Sequence, residues 1–224
     1  MCADSTADPT GEPLLLDGAL PEFEFSRLEC VALAATPPVA YEAARGLDLL
    51  TIHSPLLNAA VWARGLPERL RGRSMPTPPS LRVADLFDTA GEAWEGQPWV
   101  ALGENPGREL VFGAVGKPWR ASIEWRRVEP QHFTSYDEAG WAKMAAAFVV
   151  HPYGTQRSLL TYEARTACTD PASTARFGRY WTLVSPGIGV VLRGALHAVR
   201  ATAEQASRRP GQGASRGRYS PSGP

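Results

Sequence analysis

From Asp170 to Ala206 the chain keeps one helical period: Phe177, Trp181, Val184, Ile188, Val191, Ala195 and Val199 recur every three or four residues. Asp170 is placed to cap this helix and Pro171 to occupy its first turn. A helix of that length, on the order of 50 Å at 1.5 Å per residue, is apolar along one stripe and must lay that stripe on a surface of similar length. Pro186 and Gly187 predict a kink or a break midway.

The surface is supplied by strands. Residues 99–104 and 108–116 flank Asn105-Pro106-Gly107, where Pro then Gly suit the central positions of a type II turn, so they read as a hairpin. Ile123 and Trp125 alternate within residues 120–128. Residues 141–151 and 156–168 flank Pro152-Tyr153-Gly154-Thr155, a second hairpin signal. With a first strand over 22–35, about six strands are expected. A short helix follows Thr36 as N-cap and Pro37, and stops at Gly46 as a C′ residue. Ser54-Pro55 opens a second helix that ends before Gly65, prolines mark a loop over 73–80, and Leu81, Ala84 and Phe87 fit one more short helix. Helices gathered on one face of an antiparallel sheet make an α+β fold. A strongly curved sheet wrapped around the long C-terminal helix would leave a concave apolar interior, the default place for a ligand.

Charge sets the domain limits. Residues 1–19 hold Asp4, Asp8, Glu12 and Asp17 without a base, and 207–224 hold Arg208, Arg209, Arg216 and Arg218 without an acid. Both ends are rich in Gly, Pro, Ser and Thr and are expected to be disordered, leaving a domain over 20–206. The 23 basic and 23 acidic residues cancel, which argues against nucleic acid and anionic membrane surfaces as partners. No run of 18 apolar residues predicts stable membrane insertion, and no basic-then-apolar leader is visible at the start, so the chain is read as cytoplasmic. Three cysteines without a close pair fit neither a disulfide framework nor a zinc cluster.

Three segments carry a resemblance: Arg108-Glu109-Leu110-Val111-Phe112-Gly113-Ala114-Val115-Gly116-Lys117-Pro118-Trp119-Arg120, Leu160-Thr161-Tyr162-Glu163-Ala164-Arg165-Thr166, and Phe177-Gly178-Arg179-Tyr180-Trp181. With the order of elements, they resemble a bacterial branch of the SRPBCC superfamily, the START-like group of polyketide cyclases/dehydrases, lipid-transfer domains and plant pollen-allergen-like proteins. The resemblance covers about residues 20–206. It implies a helix-grip fold with a hydrophobic cavity and no cofactor. That fold has seven strands, and residues 73–98 could hold the seventh. The implied partner is a small hydrophobic, lipid- or polyketide-like molecule. A cyclase/dehydrase-type enzyme using the same cavity is the alternative, and a protein-interaction module a further one.

Strand alternation sorts the candidate contacts. Phe112 shares a face with Leu110 and Ala114, while Glu109 lies on the other face and would pair with an arginine or stay hydrated. Tyr162 shares a face with Leu160 and Ala164, and Glu163 and Arg165 share the opposite one. Whichever face is inward presents either Tyr162 or that charged pair. Phe148 joins the candidates on the central strand, Trp119 at a strand end, and Tyr180 and Trp181 on the terminal helix, where an aromatic stripe serves core and cavity together. His53, His132, His151 and His197 form no metal-binding spacing, so no metal is expected. His151 at a strand end is the one histidine positioned as a candidate acid/base. Residues 213–217 match the nucleophile-elbow pattern by chance, in a segment where no strand-to-helix turn is expected. There is no phosphate-loop fingerprint.

Overall fold

The computed structural model describes residues 13–48, 82–88 and 98–208. In chain order these form α1 (Leu15–Ala19), β1 (Phe25–Leu33), α2 (Pro37–Arg45), α3 (Val83–Asp88), β2 (Val100–Asn105) and β3 (Glu109–Lys117). They continue as β4 (Glu124–Arg126), α4 (Pro130–Phe133), β5 (Ala142–Pro152), β6 (Ser158–Cys168) and α5 (Pro171–Ser207). The six strands make one antiparallel sheet in the order β1-β6-β5-β3-β2, with β4 paired to β3. The fold is α+β, with the single sheet and long C-terminal helix of a helix-grip arrangement.

Both hairpins form where their turn residues put them. Arg108 N–H donates to the Asn105 carbonyl at 3.0 Å and Gly107 takes φ +81°, the conformation a type II turn requires at that position. Tyr153 N–H donates to the Arg157 carbonyl at 3.0 Å, with Gly154 at φ +77°. Strand β4 is only three residues of the expected 120–128.

The sheet is covered on both sides. Leu110, Phe112, Ala146, Phe148, Val150, Leu160 and Tyr162 face α5, packing with Leu33 of β1, Tyr41 of α2 and Leu192, Leu196 and Val199 of the long helix. Alternate residues Val111, Val115, Ala145, Ala147 and Val149 face away and pack with Leu16 of α1, Leu20, Phe133 and Trp141. Strand β3 is therefore buried from Glu109 through Gly116, and the run Ala145 to Val150 is apolar at every position instead of at every second one.

Three expectations need correction. Residues 15–19 are not a disordered extension: they form α1, with Leu16 fully buried, because the outer face of β3 and β5 is apolar and needs a cover. The long helix runs through Pro186 without a break. Pro186 is on the exposed side beside exposed Thr182, where a carbonyl left without its helical partner can turn to water. Thr36 and Gly46 do bound α2, but Thr36 makes no side-chain cap and Gly46 stays at φ −79° instead of the left-handed region. The expected helix over 55–64, the loop over 73–80, the position for a seventh strand other than 82–88, and residues 209–224 lie outside the described residues.

Helix α5 is long and apolar enough to cross a membrane by length and composition alone. Its buried residues, from Ser173 and Phe177 to Val199 and Ala203, lie on one face, which packs against the sheet and α2.

Candidate functional site

The helix-facing side of the sheet carries two aromatic groups. In the first, the Phe148 and Tyr162 rings stack at a centroid distance of 4.0 Å, as their paired register on β5 and β6 dictates. Phe112 lies 6.4 Å from Phe148, and Trp99 packs edge-on to Phe112 at 5.7 Å. The second group surrounds Phe177 near the start of α5: Phe25 at 4.8 Å, Tyr180 at 5.7 Å, Trp181 at 5.9 Å and Trp119 at 6.3 Å.

Small side chains occupy the same sheet face beside these groups. Phe112 pairs with Ala146, Ala146 with Ala164, and Ala114 with Met144. Over the middle of α5, Trp181, Val184, Ile188 and Val191 are only half-buried, although all four fall on the apolar period. The half-buried apolar stripe of α5 is the part of this face where a hydrophobic guest gains from contact.

Tyr162 differs from its neighbours in carrying a polar atom. The residue is 9% exposed, and its hydroxyl makes no hydrogen bond among the described residues. Burial pushes its pKa well above the ordinary tyrosine range, so it is a neutral hydroxyl at any physiological pH.

At the β1 side of α5, Arg27 and Arg193 share one carboxylate: Glu29 Oε1 lies 2.7 Å from Arg27 Nη2 and 2.6 Å from Arg193 Nη1. The Arg27 guanidinium rests on the helix backbone at Gly189, where a Cβ would come within 2.9 Å of it.

The opposite face holds the rest of the charged candidates. Arg165 is 5% exposed, its Nε donating to Glu163 at 2.7 Å and its Nη1 to Asp17 at 2.7 Å, with its guanidinium 4.6 Å from the Phe23 ring centre. Glu109 is 1% exposed and takes neither of the expected partners: its two carboxylate oxygens accept the N–H groups of Leu15 and Leu16 at 2.9 and 3.2 Å. Both side chains fasten α1 to the sheet. Alternation also puts His151 on this face, in line with Val149. A depression of about 390 Å³ opens there between Phe23, Glu24, Tyr136, Lys143 and Cys168. Burial and the nearby Glu24 push the Cys168 thiol up to about 12, which keeps it protonated and a poor nucleophile. Among the described residues no three His, Cys, Asp or Glu side chains are grouped to hold a metal ion.

Of the eight candidate contacts, Phe112, Phe148 and Tyr162 are brought together in one stack, Trp119, Tyr180 and Trp181 gather around Phe177, and Glu163 and Arg165 lie across the sheet from both groups. Sequence reasoning missed Phe25 and Trp99, and it gave no role to Ala114, Ala146 and Ala164. The signal for the alanines was their even spacing from Phe112, Phe148 and Tyr162 on the same strands.

No family model matches this sequence, and none of the curated proteins does. Among solved structures, a protein of Thermus thermophilus is similar at 11% identity and a TM-score of 0.31, over 82% of this chain and 99% of that one. The Zhui aromatase/cyclase of Streptomyces sp. R1128 is similar at 14% identity and 0.29, over 84% and 98%. Norcoclaurine synthase of Thalictrum flavum is similar at 12% identity and 0.28, over 82% and 86%.

Proposed function

We propose that the protein binds a small hydrophobic, lipid- or polyketide-like molecule between the sheet and α5. In this reading Ala114, Ala146 and Ala164 are the floor, Phe112 and Phe148 one wall, and Tyr180, Trp181 and Trp119 the aromatic edge. Apolar burial supplies most of the affinity, about 25 cal/mol per Å² removed from water. The observation that carries the reading is Tyr162, whose ring is packed on the apolar helix-facing side of the sheet and whose hydroxyl makes no hydrogen bond among the described residues. A ligand with a polar group at that point satisfies it, and Tyr162 sets the ligand's orientation.

Native mass spectrometry of freshly purified protein tests this. A bound lipid-like species is expected, with Phe112→Ala reducing its occupancy and Tyr162→Phe weakening retention about three- to tenfold, the worth of one net hydrogen bond. Protein that is empty in every preparation and takes up no lipid or polyketide-like compound would falsify the proposal.

A cyclase/dehydrase-type activity is a second reading, favoured by the same residue. A tyrosine held neutral by burial can donate to a carbonyl oxygen as charge develops on it. Under this reading Tyr162→Phe removes turnover of a polyketide-like substrate while leaving most of its binding.

A further inference from the structure

Net neutrality hides a division of charge along the chain. From Pro171 onward there are eight arginines and one acid, Glu204, while residues 1–170 hold 15 basic and 22 acidic residues. The basic part enters the fold as α5. Its helical period sets Arg176, Arg179, Arg193 and Arg200 on the side away from the sheet, and Arg208 continues the row at the helix end.

That same row contains apolar side chains. Leu183, at 80% exposure, is the most exposed large hydrophobic among the described residues, and Pro186, one turn on, is exposed as well. Only 28% of the helix's most apolar 18-residue window is buried. Part of the charge is answered internally: Glu29 pairs with Arg193 at 2.6 Å, and Glu204 pairs with Arg200 at 2.9 Å and Arg208 at 3.6 Å. Arg176 and Arg179 make no ion pair among the described residues. Leu183 therefore stands one turn beyond Arg179 and two beyond Arg176, neither of them ion-paired among the described residues, on a helix whose opposite face is committed to the core.

We propose that this face of α5 docks on an anionic lipid surface. The helix lies parallel to the bilayer, Leu183 enters the interfacial layer, and Arg176 and Arg179 meet headgroup phosphates. It does not span, because Phe177, Leu192, Leu196 and Val199 are held against the rest of the fold. Arg209, Arg216 and Arg218 follow in the sequence with no acid among them, a composition that favours the same anionic partner. Charge alone would suit a nucleic-acid backbone equally well. An exposed leucine between arginines suits an interface with an apolar layer beneath its phosphates.

Co-flotation of the full chain with vesicles tests the proposal, using phosphatidylcholine alone and phosphatidylcholine mixed with phosphatidylglycerol. Binding is expected only to the mixed vesicles and falls as salt is raised. Arg176→Gln with Arg179→Gln lowers partitioning roughly 30-fold, and Leu183→Ser roughly tenfold. All three side chains lie on the side away from the core, so circular dichroism should show an unchanged fold. Absence of binding, equal binding to both vesicle types, or variants that bind like the parent overturn the proposal. Binding to a DNA or RNA duplex without binding to vesicles overturns it too, and assigns the basic face to nucleic acid. Neither result bears on the ligand site under the helix.

Discussion

Glu109 sits in the least natural place for its type, a carboxylate buried on an apolar face. Burial pushes its pKa up, and the two N–H groups of α1 pull it back by less. A carboxyl whose folded pKa exceeds its unfolded value binds more protons folded than unfolded. Its contribution is greatest at low pH and is lost as pH rises through the folded value. Urea unfolding of the parent and of Glu109→Gln between about pH 4 and 8 checks this, a range that starts near the usual glutamate pKa. The parent should lose stability relative to the variant as pH rises, and a constant difference would show that Glu109 does not titrate in that range. That Phe112 shares a face with Leu110, and Tyr162 with Leu160, was legible from alternation, because both lie on strands whose pattern is local. Glu109 was not: its partners are 93 and 94 positions away, in a segment whose composition reads as disordered.

Helix α5 was the most legible element, since its start, period and length are all written in consecutive residues. Asp170 caps it in the expected way: its carboxylate accepts the Ser173 N–H at 2.9 Å and the Ser173 hydroxyl at 2.6 Å, and also takes the Gly140 N–H from the loop before β5. Those bonds hold its pKa at about 2. A depressed carboxylate contributes above its unfolded value, near 3.9, and the contribution disappears as pH falls toward 2. Asp170→Ala should therefore lower the thermal midpoint at neutral pH, with the gap to the parent closing below about pH 4. A gap that persists undiminished at pH 2 would place the effect outside the carboxylate. What the elements did not reveal is which face each strand turns to the helix. The choice depends on what covers the other face, and with α1 assigned to disorder only one cover was in view. The unbroken apolar run of β5 was the available sign that both faces are covered.

The molecule is thus two layers on one sheet, and its chemistry divides with them. The aromatic stack and Tyr162 look toward α5, whereas Glu109, Glu163 and Arg165 look toward α1. Because the layers share β3, β5 and β6, loosening the outer cover should weaken the whole fold without entering the candidate ligand site. Leu16 is the place to do it: it is fully buried against the outer face and packs in a cluster separate from the core beneath α5. Leu16→Asp puts a charge where Val111, Ala147 and Val149 offer it no partner, so α1 must leave the sheet. The full chain carrying this change should unfold at lower urea and bind an apolar-surface dye, because the outer face is opened. Its bound lipid-like species should survive at the parent's occupancy under conditions where the protein stays folded. Loss of that species while the helix-side aromatics keep their near-ultraviolet dichroism would show that the two faces are coupled, and would move the ligand's contacts to the α1 side of the sheet.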